Sequence, residues 1–138
     1  MVLLIISGAG ALKQILIDSG VSNYIASLLE GSLVSPLILA WSIATVIRVC
    51  VGSATVAGLT AAGIVLPLIS NSDISPELMV LAIGSGSLML SHVNDAGFWL
   101  FKEYFNLTVK ETLYTWTVME TIVGITGLIG VLILNIFI

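Results

Sequence analysis

Within the stretch Met89-Leu90-Ser91-His92-Val93-Asn94-Asp95-Ala96-Gly97-Phe98-Trp99 the sequence sets a hydroxyl, the chain's one imidazole, an amide and a carboxylate almost side by side. His92, Asn94 and Asp95 can together hydrogen-bond the hydroxyls of a polar substrate. Asp95 or His92 is also a candidate for the coupling proton, because burial raises the pKa of an aspartate and lowers that of a histidine, moving both away from their ordinary values. For His92 a purely structural hydrogen bond is an equal alternative. A second group is Arg48, followed by Gly52-Ser53-Ala54-Thr55. An uncompensated arginine in a membrane costs at least about 2.5 kcal/mol, so Arg48 needs a partner: a substrate carboxylate, an acidic residue, or the interface reached by snorkelling. Glu120, with the uncharged segment from Thr121 to Ile138 behind it, is a candidate proton relay or an interfacial residue.

Other chemistries fit these residues poorly. Ser91, His92 and Asp95 hold the residue types of a hydrolytic triad, but adjacent Ser and His project apart on a helix, where facing neighbours lie three or four positions away. Ile83-Gly84-Ser85-Gly86-Ser87 lacks the Gly-x-Ser-x-Gly elbow and its strand-to-helix setting. One histidine with scattered carboxylates makes no metal site, and the single Cys50 makes no disulfide framework. The expectation is a non-enzymatic chain without metal or cofactor. The eight acidic residues are spread singly and the four basic ones form no cluster, which excludes a nucleic-acid footprint.

The elements that must position these groups are membrane helices. Of 138 residues 58% are hydrophobic and 9% charged, where soluble domains carry about 25% charged; mean hydropathy is +1.17. Long uncharged runs, among them the segment between Arg48 and Asp73, approach the roughly 20-residue spanning length. An all-α, multi-pass membrane protein is expected. Met1 to Ala11 is short for a span and unlike a signal peptide, which predicts a chain that begins inside a membrane helix of a larger protein. Ala11 to Glu30, divided by Ser19-Gly20, reads as a broken amphipathic helix at the interface.

Pro36 to Leu68 is too long for one span, about 50 Å as a straight helix against a core near 30 Å, and too short for two. A re-entrant hairpin solves this, with arms Pro36 to Val51 and Val56 to Leu68 and Gly52 to Thr55 as a polar tip. Ser70 to Pro76 reads as an exposed loop. The helix from Pro76 to Leu90 is about 22 Å long and meets Ser91 to Gly97 before Phe98 to Phe105 resumes, so 76–105 reads as one discontinuous membrane helix. Asn106 to Lys110 forms a turn and the final span opens at Thr112. The tryptophans Trp41, Trp99 and Trp116 and the tyrosines Tyr104 and Tyr114 read as interfacial anchors.

Irregular backbone survives in lipid only around a cavity, ion or substrate, so two breaks point to one site. The helix start after Ser53 and Thr55 suits an anion; short or glycine-interrupted segments around such a site are the pattern of a secondary transporter. Close packing by small residues is the alternative for Gly52 to Thr55.

The segments GAGALKQILIDSG (Gly8 to Gly20), RVCVGSATVAG (Arg48 to Gly58), SPELMVLAIGSGS (Ser75 to Ser87) and SHVNDAGFWLFKEYFNLTVKET (Ser91 to Thr112) resemble the gluconate permease family of proton symporters in the ion transporter superfamily. The resemblance implies an elevator-type transporter built from two inverted repeats, of which 1–138 covers most of the second. It matches Gly52 to Thr55 with the hairpin tip and Ser91 to Gly97 with the broken-helix loop. The residues and the resemblance together give a candidate substrate site of Arg48, Gly52, Ser53, Thr55, Ser91, His92, Asn94 and Asp95, with Asp95, His92 and Glu120 as proton-coupling candidates. The implied partners are gluconate or a related sugar acid, protons, the lipid of a bacterial inner (plasma) membrane and, in the full-length protein, further copies of itself. Transport of another hydroxylated carboxylate such as D-serine, or a non-transporting membrane fragment, are the alternatives.

Overall fold

Proline, serine and glycine set the helix ends in the computed structural model, which describes residues 2–20, 24, 34–70 and 74–138 and is helical without strands among them. Helix α1 (Val2–Asp18) runs straight through Ala11 and stops at Ser19-Gly20, where Gly20 takes φ +76°. The expected boundary at Ala11 is therefore absent. Ala11, Lys13 and Gln14 are good helix formers, and Gln14 Nε2 donates to Asp18 Oδ1 at 2.8 Å, so nothing local interrupts propagation. Most of the expected second half of that amphipathic stretch lies outside the described residues.

Helix α2 (Pro36–Val51) opens with Ser35, whose side chain accepts from the Leu37 amide, and Pro36 in the first turn, where a missing N–H costs nothing. It ends at Gly52, in the left-handed region at φ +73°. Only Gly52 and Ser53 separate it from α3 (Ala54–Ser70), and the two helices pack on each other as a hairpin. The second arm begins two residues before the expected Val56. The expected loop from Ser70 to Pro76 retains Ser75-Pro76 as a helix start, and residues 71–73 are outside the described set.

Helix α4 (Pro76–Gly86) is shorter than the expected arm to Leu90. Ser85 and Ser87 turn their hydroxyls back onto the carbonyls of Ala82 (2.9 Å) and Gly84 (2.7 Å), and Gly84 and Gly86 weaken the same turn. The chain then leaves the helix through Leu90, at φ +50°, and resumes in α5 (Ala96–Tyr104). Asn106, at φ +52°, turns the chain into α6 (Val109–Thr112), three residues earlier than expected, because Thr108 and Glu111 cap each other reciprocally. A π-helical turn (Leu113–Thr117) joins α6 to α7 (Val118–Phe137). Val109–Phe137 is the one helical run among the described residues long and apolar enough to cross a membrane.

The core lies where α2, α3, α4 and α7 meet. Leu37, Ala40 and Ala44 of α2 form a stripe at helical spacing that faces Ala61 and Val65 of α3, Met79 and Ala82 of α4, and Val131 of α7. Arg48 is the next buried position on that stripe. Many large apolar side chains, such as Leu4, Leu100, Ile122 and Ile136, stand exposed on the outer faces. That distribution suits a lipid or protein neighbour better than water. Helices α2 and α4 cross so closely that a Cβ on Gly86 would sit 2.4 Å from the Trp41 carbonyl oxygen. Gly84, two residues earlier and on the roughly opposite face of α4, has open space. Gly86→Ala is expected to lower stability by about 1–3 kcal/mol through forced separation of the helices. Gly84→Ala should be neutral or stabilising by up to about 1 kcal/mol. Denaturation midpoints in detergent micelles measure the contrast, and equal midpoints for the two variants would contradict the close crossing.

Candidate functional site

The hairpin tip and the gap between α4 and α5 lie against each other. A Cβ on Gly52 would fall 2.3 Å from the Asn94 carbonyl oxygen, so only glycine fits there, by contact as well as by φ. Asn94 Nδ2 donates to the Val49 carbonyl at 2.8 Å, satisfying one of the orphan acceptors at the end of α2. Ser53 Oγ accepts from the Val56 amide at 3.3 Å and caps the start of α3.

At this junction Arg48, only 2% exposed, pairs with Asp95 through Nη2 and Oδ2 at 2.5 Å. Asp95 is also the N-cap of α5, accepting the Gly97 amide on Oδ1 at 2.9 Å, and it accepts the hydroxyl of Ser91 on Oδ2. Ser91 is 1% exposed and in turn accepts from Trp116 Nε1 at 2.7 Å, while the Thr117 hydroxyl donates to the Ser91 carbonyl. Arg48 Nε and Nη1 are buried and have no hydrogen-bond partner among the described residues. Glu120 is half-buried, lies close enough to interact electrostatically with both Arg48 and Asp95, and forms no hydrogen bond or ion pair among the described residues.

The remaining polar groups of the break close its backbone. His92 Nδ1 lies 2.7 Å from the Leu90 carbonyl; a carbonyl only accepts, so that nitrogen carries the hydrogen. The His92 carbonyl accepts from the Asp95 amide at 2.9 Å, and the Val93 carbonyl from Trp99 Nε1 at 2.8 Å.

This geometry can be set beside known proteins. Over residues 1–137 the chain matches the family described as GntP family permease. The chain belongs to this family. It is 61% identical over 135 residues to the high-affinity gluconate transporter of Escherichia coli (strain K12), covering 98% of this chain and 31% of that protein. It is 58% identical, with the same coverage, to the Gnt-II system L-idonate transporter of the same strain. To the gluconate permease of Bacillus licheniformis it is 54% identical over 138 residues, 100% of this chain and 31% of the relative. The chain thus spans about a third of the length of these GntP family relatives, and no solved structure matches it.

Within this GntP family segment the structure gathers Arg48, Ser91 and Asp95 into one cluster, sets Gly52 and Asn94 in its wall, and leaves Glu120 beside it. Of the partners open to it, Arg48 takes an acidic residue, and its Nε and Nη1 remain without partners among the described residues. His92 and Ser53 serve backbone groups. Thr55 is exposed and lines an open, nearly all-apolar groove of about 460 Å³ between α3 and α4, and it bonds to none of the cluster. Trp116 and Thr117 were not singled out as site residues, because their partner Ser91 lies 25 and 26 positions away and no local signal in the sequence marks the pairing. Trp41, expected at an interface, donates to the Gly124 carbonyl at 3.1 Å between helices. Tyr104 and Tyr114 are exposed.

Asp95→Ala is expected to destabilise by about 3 kcal/mol, since it strands a buried guanidinium. The double variant Arg48→Ala/Asp95→Ala should lose less than the sum of the single losses. A double-mutant cycle on unfolding free energies reads the difference, and strict additivity would show that the pair does not act as a unit.

Proposed function

We propose that this segment forms the substrate-recognising half-site of a permease that carries gluconate or a closely related sugar acid, coupled to protons, across a bacterial plasma membrane. One observation carries the reading. A buried arginine whose Nε and Nη1 have no partner among the described residues sits where two helix breaks meet, and a carboxylate is the acceptor that planar N–H donors favour. The names of the relatives support the class: gluconate and L-idonate are both polyhydroxy monocarboxylates. In this reading the hairpin of α2 and α3 is re-entrant, α4 and α5 are halves of one discontinuous membrane helix, and the fold is of the elevator type.

Charge counting favours proton coupling. Asp95 and Glu120 already place two carboxyls near one arginine, and a substrate carboxylate would add a third negative charge at close range. Protonating one carboxyl relieves that repulsion as the anion enters. Asp95 is occupied by three donors that require it as an acceptor, from Arg48, Ser91 and Gly97, whereas Glu120 has no such partner among the described residues. Glu120 is therefore the better proton carrier, and Asp95 the group that holds Arg48 in place.

The test uses a whole permease in which this segment replaces its counterpart in the Escherichia coli gluconate transporter. Arg48→Ala is expected to weaken gluconate binding about 10-fold or more, and Arg48→Lys to weaken it less while the protein still inserts. Glu120→Gln should keep gluconate exchange across vesicle membranes and lose accumulation driven by a pH difference. Unchanged affinity in Arg48→Ala would remove the anchor, and pH-driven accumulation surviving in Glu120→Gln would return the proton to another group.

A further inference from the structure

The route from the final helix to the charged pair runs through one hydroxyl, and its direction is set by chemistry. An indole N–H can only donate, and Trp116 Nε1 points at Ser91 Oγ from 2.7 Å. The Ser91 oxygen therefore accepts from the indole, and its own hydrogen is left to point at Asp95 Oδ2, the oxygen that also receives Arg48. The hydroxyl of Thr117 holds the Ser91 carbonyl from the same turn. Trp116 is itself fixed: its ring lies 5.0 Å from that of Phe101, and a Cβ on Gly97 would come within 3.3 Å of it. Both Trp116 and Thr117 lie in the π-helical turn, a form that recurs at functional sites, and this turn precedes Glu120.

We infer that Trp116 is a positioning residue of the site: its indole N–H fixes the Ser91 hydroxyl as a donor to Asp95, which keeps Asp95 an ionised acceptor pinned to Arg48. The inference rests on the reading of this cluster as the substrate site and adds a residue that acts on it from a distance. It separates the duties of the two carboxyls, because the relay reaches Asp95 and stops there. The charged and titratable groups around Asp95 are Arg48 on α2 and Glu120 on α7, with His92 in its own loop turned to the Leu90 carbonyl.

The experiment reads the carboxyl directly, in the 138-residue chain reconstituted in lipid nanodiscs. Infrared difference spectra across an acid titration contain a protonated-carboxyl band, and the part lost in Asp95→Asn belongs to Asp95. Trp116→Phe keeps an aromatic ring and removes the donor; the Asp95 midpoint is expected to move upward by about 0.5 pH unit, the weakening of one hydrogen bond. Ser91→Ala should move it further in the same direction, and Trp116→Phe added to Ser91→Ala should move it no more. A midpoint unchanged by Trp116→Phe, or an equal shift in the presence and absence of Ser91, overturns the inference. As a measurement needing no Trp116 variant, the indole N–H resonance assigned to Trp116 with Trp41→Phe and Trp99→Phe should follow the Asp95 midpoint and cease to do so in Ser91→Ala; an indole signal blind to that midpoint also overturns it. Gluconate plays no part in these readouts, so they stand or fall separately from the substrate assignment.

Discussion

A backbone group released where a helix stops needs a hydrogen-bond partner, and this requirement organises the rest of the chain. An unsatisfied amide or carbonyl costs several kcal/mol in lipid. Between α4 and α5 four consecutive carbonyls, of Leu90, Ser91, His92 and Val93, are freed, and each is met: by the His92 ring, the Thr117 hydroxyl, the Asp95 amide and the Trp99 indole. Asn94 crosses to the end of α2 and does the same for Val49. Much of the polarity that makes the stretch conspicuous is thus consumed by its own backbone. Of the side chains left over, Ser91 donates to Asp95, and Asp95 meets Arg48.

The ion pair also closes a circuit of helix ends. Arg48 occupies the last turn of α2, where the exposed carbonyls carry partial negative charge, and Asp95 caps the start of α5, where the amides carry partial positive charge. Each charge is therefore stabilised by its own helix as well as by its partner. Bringing those two ends together requires helices that approach closely, which the small residues supply. Ala44 and Gly86 at the crossing of α2 and α4, and Gly124 against Ser85 and Met89 at the crossing of α4 and α7, leave no room for larger side chains. The packing core and the charged site are successive levels of one α2 stripe running from Leu37 to Arg48.

Sequence alone was most informative where chemistry is local. Ser35-Pro36, Gly52 and Ser75-Pro76 mark helix ends by rules that involve only neighbours, and the helices begin or stop there. It was less informative wherever a distant partner decides. The pairing of Arg48 with Asp95 spans 47 positions, and the donation from Trp116 to Ser91 spans 25. No spacing rule reaches that far. The early end of α4 at Gly86 depends on hydroxyls folding back onto carbonyls, one of several rotamers open to Ser85 and Ser87. Thr55 reads like Ser53 by type, yet its helical position turns it to the apolar groove. A π-helical turn is a change of phase, and the apolar pattern of Leu113 to Thr117 is too short to reveal it.

That change of phase bears on how two carboxyls near one arginine can differ. The extra backbone position of the π-helical turn shifts the face of the residues it holds relative to those that follow; Trp116, within it, reaches Ser91, while Glu120, one turn on, forms no hydrogen bond among the described residues. Environment then sets the roles, as it does wherever two acids of similar intrinsic strength sit in one site. Asp95 is surrounded by donors whose geometry suits only an acceptor, and Glu120 is subject to the same charges with no hydrogen bond among the described residues to hold it in one state. In the proposed permease a fixed acceptor keeps the arginine aimed, and an unbound acid lets the site's net charge change when an anion arrives. Either carboxyl alone would do one of these at the expense of the other.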